Sequence, residues 1–348
     1  RPSAMQSIKN NVACILAGAM SLLLAASWSG IAFSGPLDPP GAPAPTMKTL
    51  QQVEPRTPIS SIPFTITTPG SYYVTSDLAT TGTLGIRIDT NDVTLDLSGF
   101  TLSTTSSTLA PGDGAISSTG RSGWSRLAIR NGRITGFALG INMNSGGHDV
   151  VIDGIQAEGP SSPSAGSTGM LLAPTESSIS NCVVRGYDVG ITTAANAQIT
   201  GCTATNNATW GFLLGSSNIL RDCVSSANGN GISIVDSSTV DNCVVTGNTG
   251  VGITAGLTSH MSGNTVSNNT GTGIQVVSGS TVENCSVVSN GNNGIYATGR
   301  VLVKNNHVQN NANVGIVFFG AGKIEGNEVS DNLTAASRRA STATAASS

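Results

Sequence analysis

The chain repeats itself at a fixed short interval. Glycine followed by an apolar residue occurs at Gly169-Met170, Gly190-Ile191, Gly211-Phe212, Gly231-Ile232, Gly252-Ile253, Gly273-Ile274, Gly294-Ile295 and Gly315-Ile316, in steps of 21, 21, 20, 21, 21, 21 and 21 residues. Looser copies lead in at Gly85-Ile86, Gly114 to Ile116 and Gly140-Ile141, which makes eleven turns. A second pattern, apolar-x-[Asn/Asp/Gly]-[Cys/Asn]-x-[Val/Ala/Ser], keeps step with the first, as in Ile179 to Val184, Val240 to Val245 and Ile324 to Val329. Within a repeat, apolar residues alternate over two or three positions and Asn-Gly punctuation follows. A helical repeat would need a longer run with apolar residues three and four apart. The unit is therefore built of strands. A period near 21 with three short β segments describes a coil whose rungs stack in parallel about 4.8 Å apart. The expected fold is all-β: a right-handed parallel β-helix of about eleven coils, some 50 Å long at that rise.

Composition fits a solenoid better than a globule. Only 10% of the 348 residues are charged and 4% aromatic, while 43 are glycine, so large apolar side chains are too few for a thick core. A net charge of -3 gives no basic field to attract nucleic acid or an anionic membrane. Residues 1–34 read as a signal peptide: Lys9 precedes an apolar run from Val12 to Ala26, and Ala32 and Ser34 offer a cleavage site. The run is too short for a membrane span. The expected location is outside the cytoplasm: extracellular, periplasmic or cell-surface. Residues 35–63 read as a Pro-rich linker and lead-in, residues 64–332 as the β-helix, and residues 333–348 as a disordered tail in which the repeat breaks as it would in a truncated array. The open strand edge there makes end-to-end self-association at the last coil an expectation.

The segment PGSYYVTSDL followed by GIRIDTNDVTLDLSGFTL, Pro69 to Leu102, resembles the opening coils of right-handed β-helix proteins in the pectate-lyase-like superfamily, and the later coils resemble its general repeat. The resemblance implies the fold. It implies no single activity, because that superfamily holds lyases, hydrolases, epimerases and copper-delivery proteins.

Aligning the coils puts Phe100, Gly132, Ile155, Cys182, Cys202, Cys223, Cys243, Asn264, Cys285, Asn306 and Asn327 in one column. A column that accepts Phe, Ile, Cys or Asn is an interior position selected for size and stacking, and its thiols read as small buried hydrophobes. Disulfides are the competing reading, since export favours oxidation, with Cys182–Cys202 and Cys223–Cys243 as candidates. Side chains one rung apart and pointing the same way are, however, wider than the ~3.8 Å that a disulfide prefers between Cβ atoms. A straight ladder does not converge on a metal as a tetrahedral site would, so no metal or other cofactor is expected.

In the pectate lyases and polygalacturonases of that superfamily, the chemistry lies across the outer face of the strands that here begin with Gly-Ile. The outward residues of that strand are Arg87, Ser117, Asn142, Leu171, Thr192, Leu213, Ser233, Thr254, Gln275, Tyr296 and Val317. One of the eleven can ionise, with Asp89 at the edge. The NTD, DD, GHG and RIK motifs of the hydrolases and the DPHE-like motif of the alginate epimerases are absent. Acid-base cleavage of a glycosidic bond needs two carboxylates about 5–10 Å apart. A neighbouring column, Ser98, Arg130, Asp153, Ser180, Thr200, Arg221, Asp241, Ser262, Glu283, Lys304 and Glu325, alternates sign and suggests cross-rung ion pairs Arg130–Asp153, Arg221–Asp241 and Glu283–Lys304–Glu325; His307 and Glu328 form a further candidate pair.

No catalytic residue is assigned. Tyr187 and Trp210, read as successive copies of one turn, and Tyr296 on the strand are candidate glycan contacts, since sugar rings stack on exposed aromatics. The primary expectation is a non-catalytic structural, adhesive or glycan-contacting protein whose partner is an extracellular polysaccharide. The alternative is a polysaccharide-active lyase or hydrolase with its site in the longer loops, Ser103 to Gly114 and Glu158 to Gly169.

Overall fold

The computed structural model describes residues 56–118, 123–144 and 146–339, all within a compact unit that begins at Pro55. The expected signal peptide and most of the linker lie outside the described residues, as do the last nine residues. The described chain is all strand and turn. One sheet has 23 strands and the other 13, and the pairing is parallel throughout. Each central coil contributes two strands to the larger sheet, such as Ser178–Ser180 and Val183–Arg185, and one to the smaller, such as Val189–Thr193.

The register is that of the sequence repeat. Ile191 pairs with Phe212, Phe212 with Ile232, Ile232 with Ile253 and Ile253 with Ile274. All are buried, as are Val240, Met261, Val282 and Val303 facing them from the larger sheet. The repeating glycine answers to a close approach. A Cβ at Gly252 would lie 2.5 Å from the Gly273 carbonyl oxygen and 2.6 Å from Val266 Cγ1; at Gly190 it would lie 2.8 Å from Asn207 Nδ2. The coil is pinched there, and only glycine fits.

What pinches it is a ladder of buried amides. Asn207, Asn228, Asn248, Asn269, Asn290 and Asn311 are buried one above another, and each Nδ2 donates to the next Oδ1, through Asn332, at 2.8–3.1 Å. Each Oδ1 also accepts the backbone N–H of the residue one coil earlier, as Asn269 does from Asn248 at 3.1 Å. Nδ2 reaches a carbonyl as well, that of Val245 in the case of Asn269. Every polar atom is satisfied without water.

The helix extends past both expected boundaries. Thr57–Ile59 already pairs with Tyr72 to Val74, ahead of residue 64. At the other end Thr334–Arg339, expected to be disordered, forms a strand in register with Val314–Phe319. Backbone ladder bonds do not require apolar alternation, which is why the sequence pattern ended before the strands did.

Candidate functional site

The eleven outward residues from Arg87 to Val317 pair with one another, rung by rung, along the smaller sheet. Their surroundings divide the face in two. From Leu171 to Tyr296 the side chains are half-buried and form a low, nearly uncharged strip. In the first coils the face is covered: Ser117 and Asn142 are fully buried although they point outward. The cover is the loop before Gly114. Asp113 accepts hydrogen bonds from Thr83 Oγ1 at 2.6 Å and Arg87 Nη2 at 3.1 Å, and its carbonyl accepts Asn142 Nδ2 at 2.8 Å. Arg87 Nε, Ser117 Oγ and Asn142 Oδ1 have no partner beneath it.

The second long loop, Glu158 to Gly169, adjoins the first, with Leu109 against Gly166. Its carboxylates are held. Glu158 accepts Arg185 Nη2 at 2.8 Å, and Asp188 accepts the Gly166 N–H at 2.6 Å and so anchors the loop's end. Asp113, Glu158 and Asp188 thus each have a fixed partner. Among the described residues no group of three or more His, Cys, Asp and Glu is placed to hold a metal ion.

The aromatic candidates separate. Tyr187 is fully buried and is corrected here from a glycan contact to a core residue. Its ring fills space left by three glycines: added Cβ atoms at Gly140, Gly169 and Gly159 would sit 3.0, 3.1 and 3.2 Å from it. Its backbone N–H donates to Asn207 Oδ1 at 3.1 Å, so it stands at the head of the amide ladder, three positions before Gly190. Burial raises its phenol above the usual tyrosine range. Trp210 is not the next copy of that position. It pairs with Val189, at the mouth of the smaller sheet's strand, and is half-buried. Tyr296 is also half-buried and meets Phe319 in a tilted pair, ring centroids 5.8 Å apart, with Phe319 37% exposed.

Cys182, Cys202, Cys223, Cys243 and Cys285 are buried free thiols. Each sulfur donates to the carbonyl two residues earlier, as Cys223 does to Arg221 at 3.1 Å. The column interchanges Cys and Asn because both offer an acceptor to the coil before. Cys202 N–H donates to Cys223 Sγ at 3.3 Å, Cys243 N–H to Asn264 Oδ1 at 2.9 Å and Cys285 N–H to Asn306 Oδ1 at 2.9 Å. Asn306 in turn donates to Asn327. Burial pushes the Cys285 thiol up to about 11.

On the larger sheet two charge expectations need correction. Arg130 pairs with Asp96 at 3.2 Å rather than with Asp153, and Asp96, not Ser98, is its register partner on the preceding rung. Asp153 instead accepts from Ser180 Oγ and Asn181 Nδ2, which hold its carboxyl below the usual range. Glu325 pairs with Lys323 on its own strand, while Lys304 sits 2.7 Å from Glu283. Arg221–Asp241 and His307–Glu328 meet at 3.1 Å each. His260 adds a contact to Glu283 that the spacing did not suggest.

The family model for a right handed beta helix region matches residues 114–270 and 258–344. The chain belongs to this family. No curated protein sequence matches it. Among solved structures it is similar to the A-module of mannuronan C-5 epimerase AlgE6 of Azotobacter vinelandii, at 12% identity and a TM-score of 0.55 over 78% of this chain and 91% of that one. The A-module of AlgE4 from the same organism matches at 14% identity and 0.50, over 78% and 90%. The catalytic domain of a GH87 α-1,3-glucanase in complex with tetrasaccharides matches at 14% and 0.50, over 80% of this chain and 64% of that one. At these identities the likeness is one of fold. The shared fold is the right-handed parallel β-helix.

Proposed function

We propose that this chain is an exported, non-catalytic β-helix that contacts an extracellular polysaccharide along the outer face of its smaller sheet. The observation that carries the reading is the outward column itself. Eleven registered side chains from Arg87 to Val317 contain one charged group, Arg87, which Asp113 neutralises, and one phenol, Tyr296, with no carboxylate, imidazole or amine in the column. Cleavage or epimerisation of a sugar needs groups that take and give a proton beside the substrate, and this face supplies surface instead. Its uncharged middle and the Tyr296–Phe319 pair suit the apolar face of a sugar ring. The epimerase and the glucanase among its structural neighbours support a polysaccharide as the partner, and export follows from a partner of that kind.

The test is a panel of immobilised polysaccharides probed with the intact protein, together with assays for new reducing ends and unsaturated products. Binding without product is the expected result, weakened up to about tenfold by Tyr296→Ala, the scale of one lost aromatic stacking contact. Turnover of any bound polysaccharide would transfer the function to the alternative, an enzyme built on the loops.

A further inference from the structure

On the larger sheet, away from the strip just described, a shallow groove of about 190 Å³ is lined by Thr101, Arg133, Thr135, Gln156, Glu158 and Arg185. Register explains the grouping. Thr101, Arg133 and Gln156 occupy successive rungs of one column, and Thr135, Glu158 and Arg185 successive rungs of the column two residues on. Residues two apart on a strand share a face, so all six open on the same side.

Charge singles the groove out. Arg126, Arg130, Arg185 and Arg221 on this sheet each hold a carboxylate, Asp92, Asp96, Glu158 and Asp241 respectively. Arg133 departs from that pattern: it is exposed and has no carboxylate partner among the described residues. Two guanidiniums against one carboxylate leave the groove at +1 on a chain whose net charge is -3. The Gln156 amide and the hydroxyls of Thr101 and Thr135 surround the free guanidinium with neutral donors and acceptors.

We infer that this groove is a binding subsite for an oxyanion carried on a sugar, a uronate carboxylate or a sulfate ester, with Arg133 as its fork. A guanidinium takes either oxyanion through two parallel hydrogen bonds. The amide and the two hydroxyls match the hydroxyl groups that flank such an anion on a pyranose ring. Glu158 opposes a second negative charge, and Arg185 holds that carboxylate aside. The inference rests on the polysaccharide reading for the kind of ligand but not for the place, which is on the other sheet.

The experiment is titration calorimetry on the intact chain with three soluble probes: tri-galacturonate, a heparin-derived hexasaccharide and neutral cellotriose. At least one anionic probe should bind, with affinity falling as salt rises. Arg133→Gln should weaken it about tenfold or more, as loss of a charge-assisted pair does, and Glu158→Gln should strengthen it. Unchanged thermal unfolding of both variants, whose side chains are exposed, excludes misfolding. The stronger of the two anionic probes identifies carboxylate or sulfate as the group recognised. Anionic binding unaffected by Arg133→Gln, or no anionic binding at all, overturns the subsite. Loss of polysaccharide binding in Tyr296→Ala with Arg133→Gln unaffected would leave the strip reading standing and this one refuted.

Discussion

Cys223 shows what one position in the ladder must supply. Its sulfur fills the interior and also accepts the Cys202 backbone N–H, a group that water cannot reach. Cys223→Ala removes both, at about 1–2 kcal/mol for the void and about 1–3 for the stranded donor. Cys223→Asn should be milder, because the carboxamide can accept that N–H and donate to Ile199 O, as Asn264 donates to Val240 O two coils further on. Urea unfolding of the two variants checks this; equal losses would show that the sulfur contributes volume alone. The same burial predicts that the native thiols resist alkylation at neutral pH, since a pKa raised to about 11 at Cys285 leaves little thiolate. Unfolding should release the five thiols of the described coils. Mass spectrometry of the unreduced protein showing two disulfides would refute a ladder of free thiols. The sequence disclosed this column because its period survives every substitution. It concealed the position of Tyr187, since whether an aromatic in a turn points in or out depends on where the backbone bends, two residues before the position Trp210 occupies.

At the scale of the element, the amide ladder and the glycine beside it form one device. Asn269 Oδ1 takes two N–H groups from Asn248, and its Nδ2 serves Val245 O and Asn290 Oδ1. Asn269→Leu strands several buried polar groups, so a loss of about 3 kcal/mol or more is expected. Gly252→Ala, which drives a methyl against the next coil, should cost about 1–3 kcal/mol by overpacking. Both are read from denaturant midpoints, and a neutral Asn269→Leu would mean that the ladder is not a stabilising network. Asparagines in these turns read in sequence as turn punctuation, which is how the ladder escaped notice although its N-x-x-x-G spacing holds in every coil from Asn207 to Gly315 except Asn228 to Gly231. Ion pairs escaped for a different reason: register selects two possible neighbours, and side-chain length decides between them. Asp153 illustrates the outcome. Hydrogen bonds from Ser180 and Asn181 depress its pKa, so its contribution is present above the unfolded value of about 3.9 and is lost as pH falls through the lower folded value. The stability gap between the native protein and Asp153→Asn should therefore shrink between pH 5 and about pH 2, and a gap constant with pH would contradict the assignment.

For the molecule as a whole, a solenoid's stability is a sum of coils and of the contacts between neighbours. Each coil protects the amides of the one before it, as the Gly252 carbonyl takes the Ile232 N–H and the Gly273 carbonyl the Ile253 N–H. By the same geometry the strand Thr334–Arg339, in register with Val314–Phe319, covers the amides of that strand. Its composition gave no sign of this, because it pairs through backbone, and backbone pairing leaves no period in the sequence. The inner residues of the last larger-sheet strands, Ile324 and Val329, are only partly buried where their counterparts Val303 and Val308 are fully so, so the core thins at this end while the ladder continues. Ser337→Pro separates the two contributions, because in this ladder the residue after the Ala336 register position donates its N–H back to the preceding coil, as Gly215 does to Thr193 O. Proline removes a ladder donor and resists the strand conformation at its neighbour, so hydrogen exchange at Gly315 to Phe319 should accelerate sharply while that at Gly252 to Ala255, three coils away, keeps its native rate. Exchange at Gly315 to Phe319 that the substitution leaves unchanged would show that the strand does not pair in solution and that the protected helix stops one coil earlier.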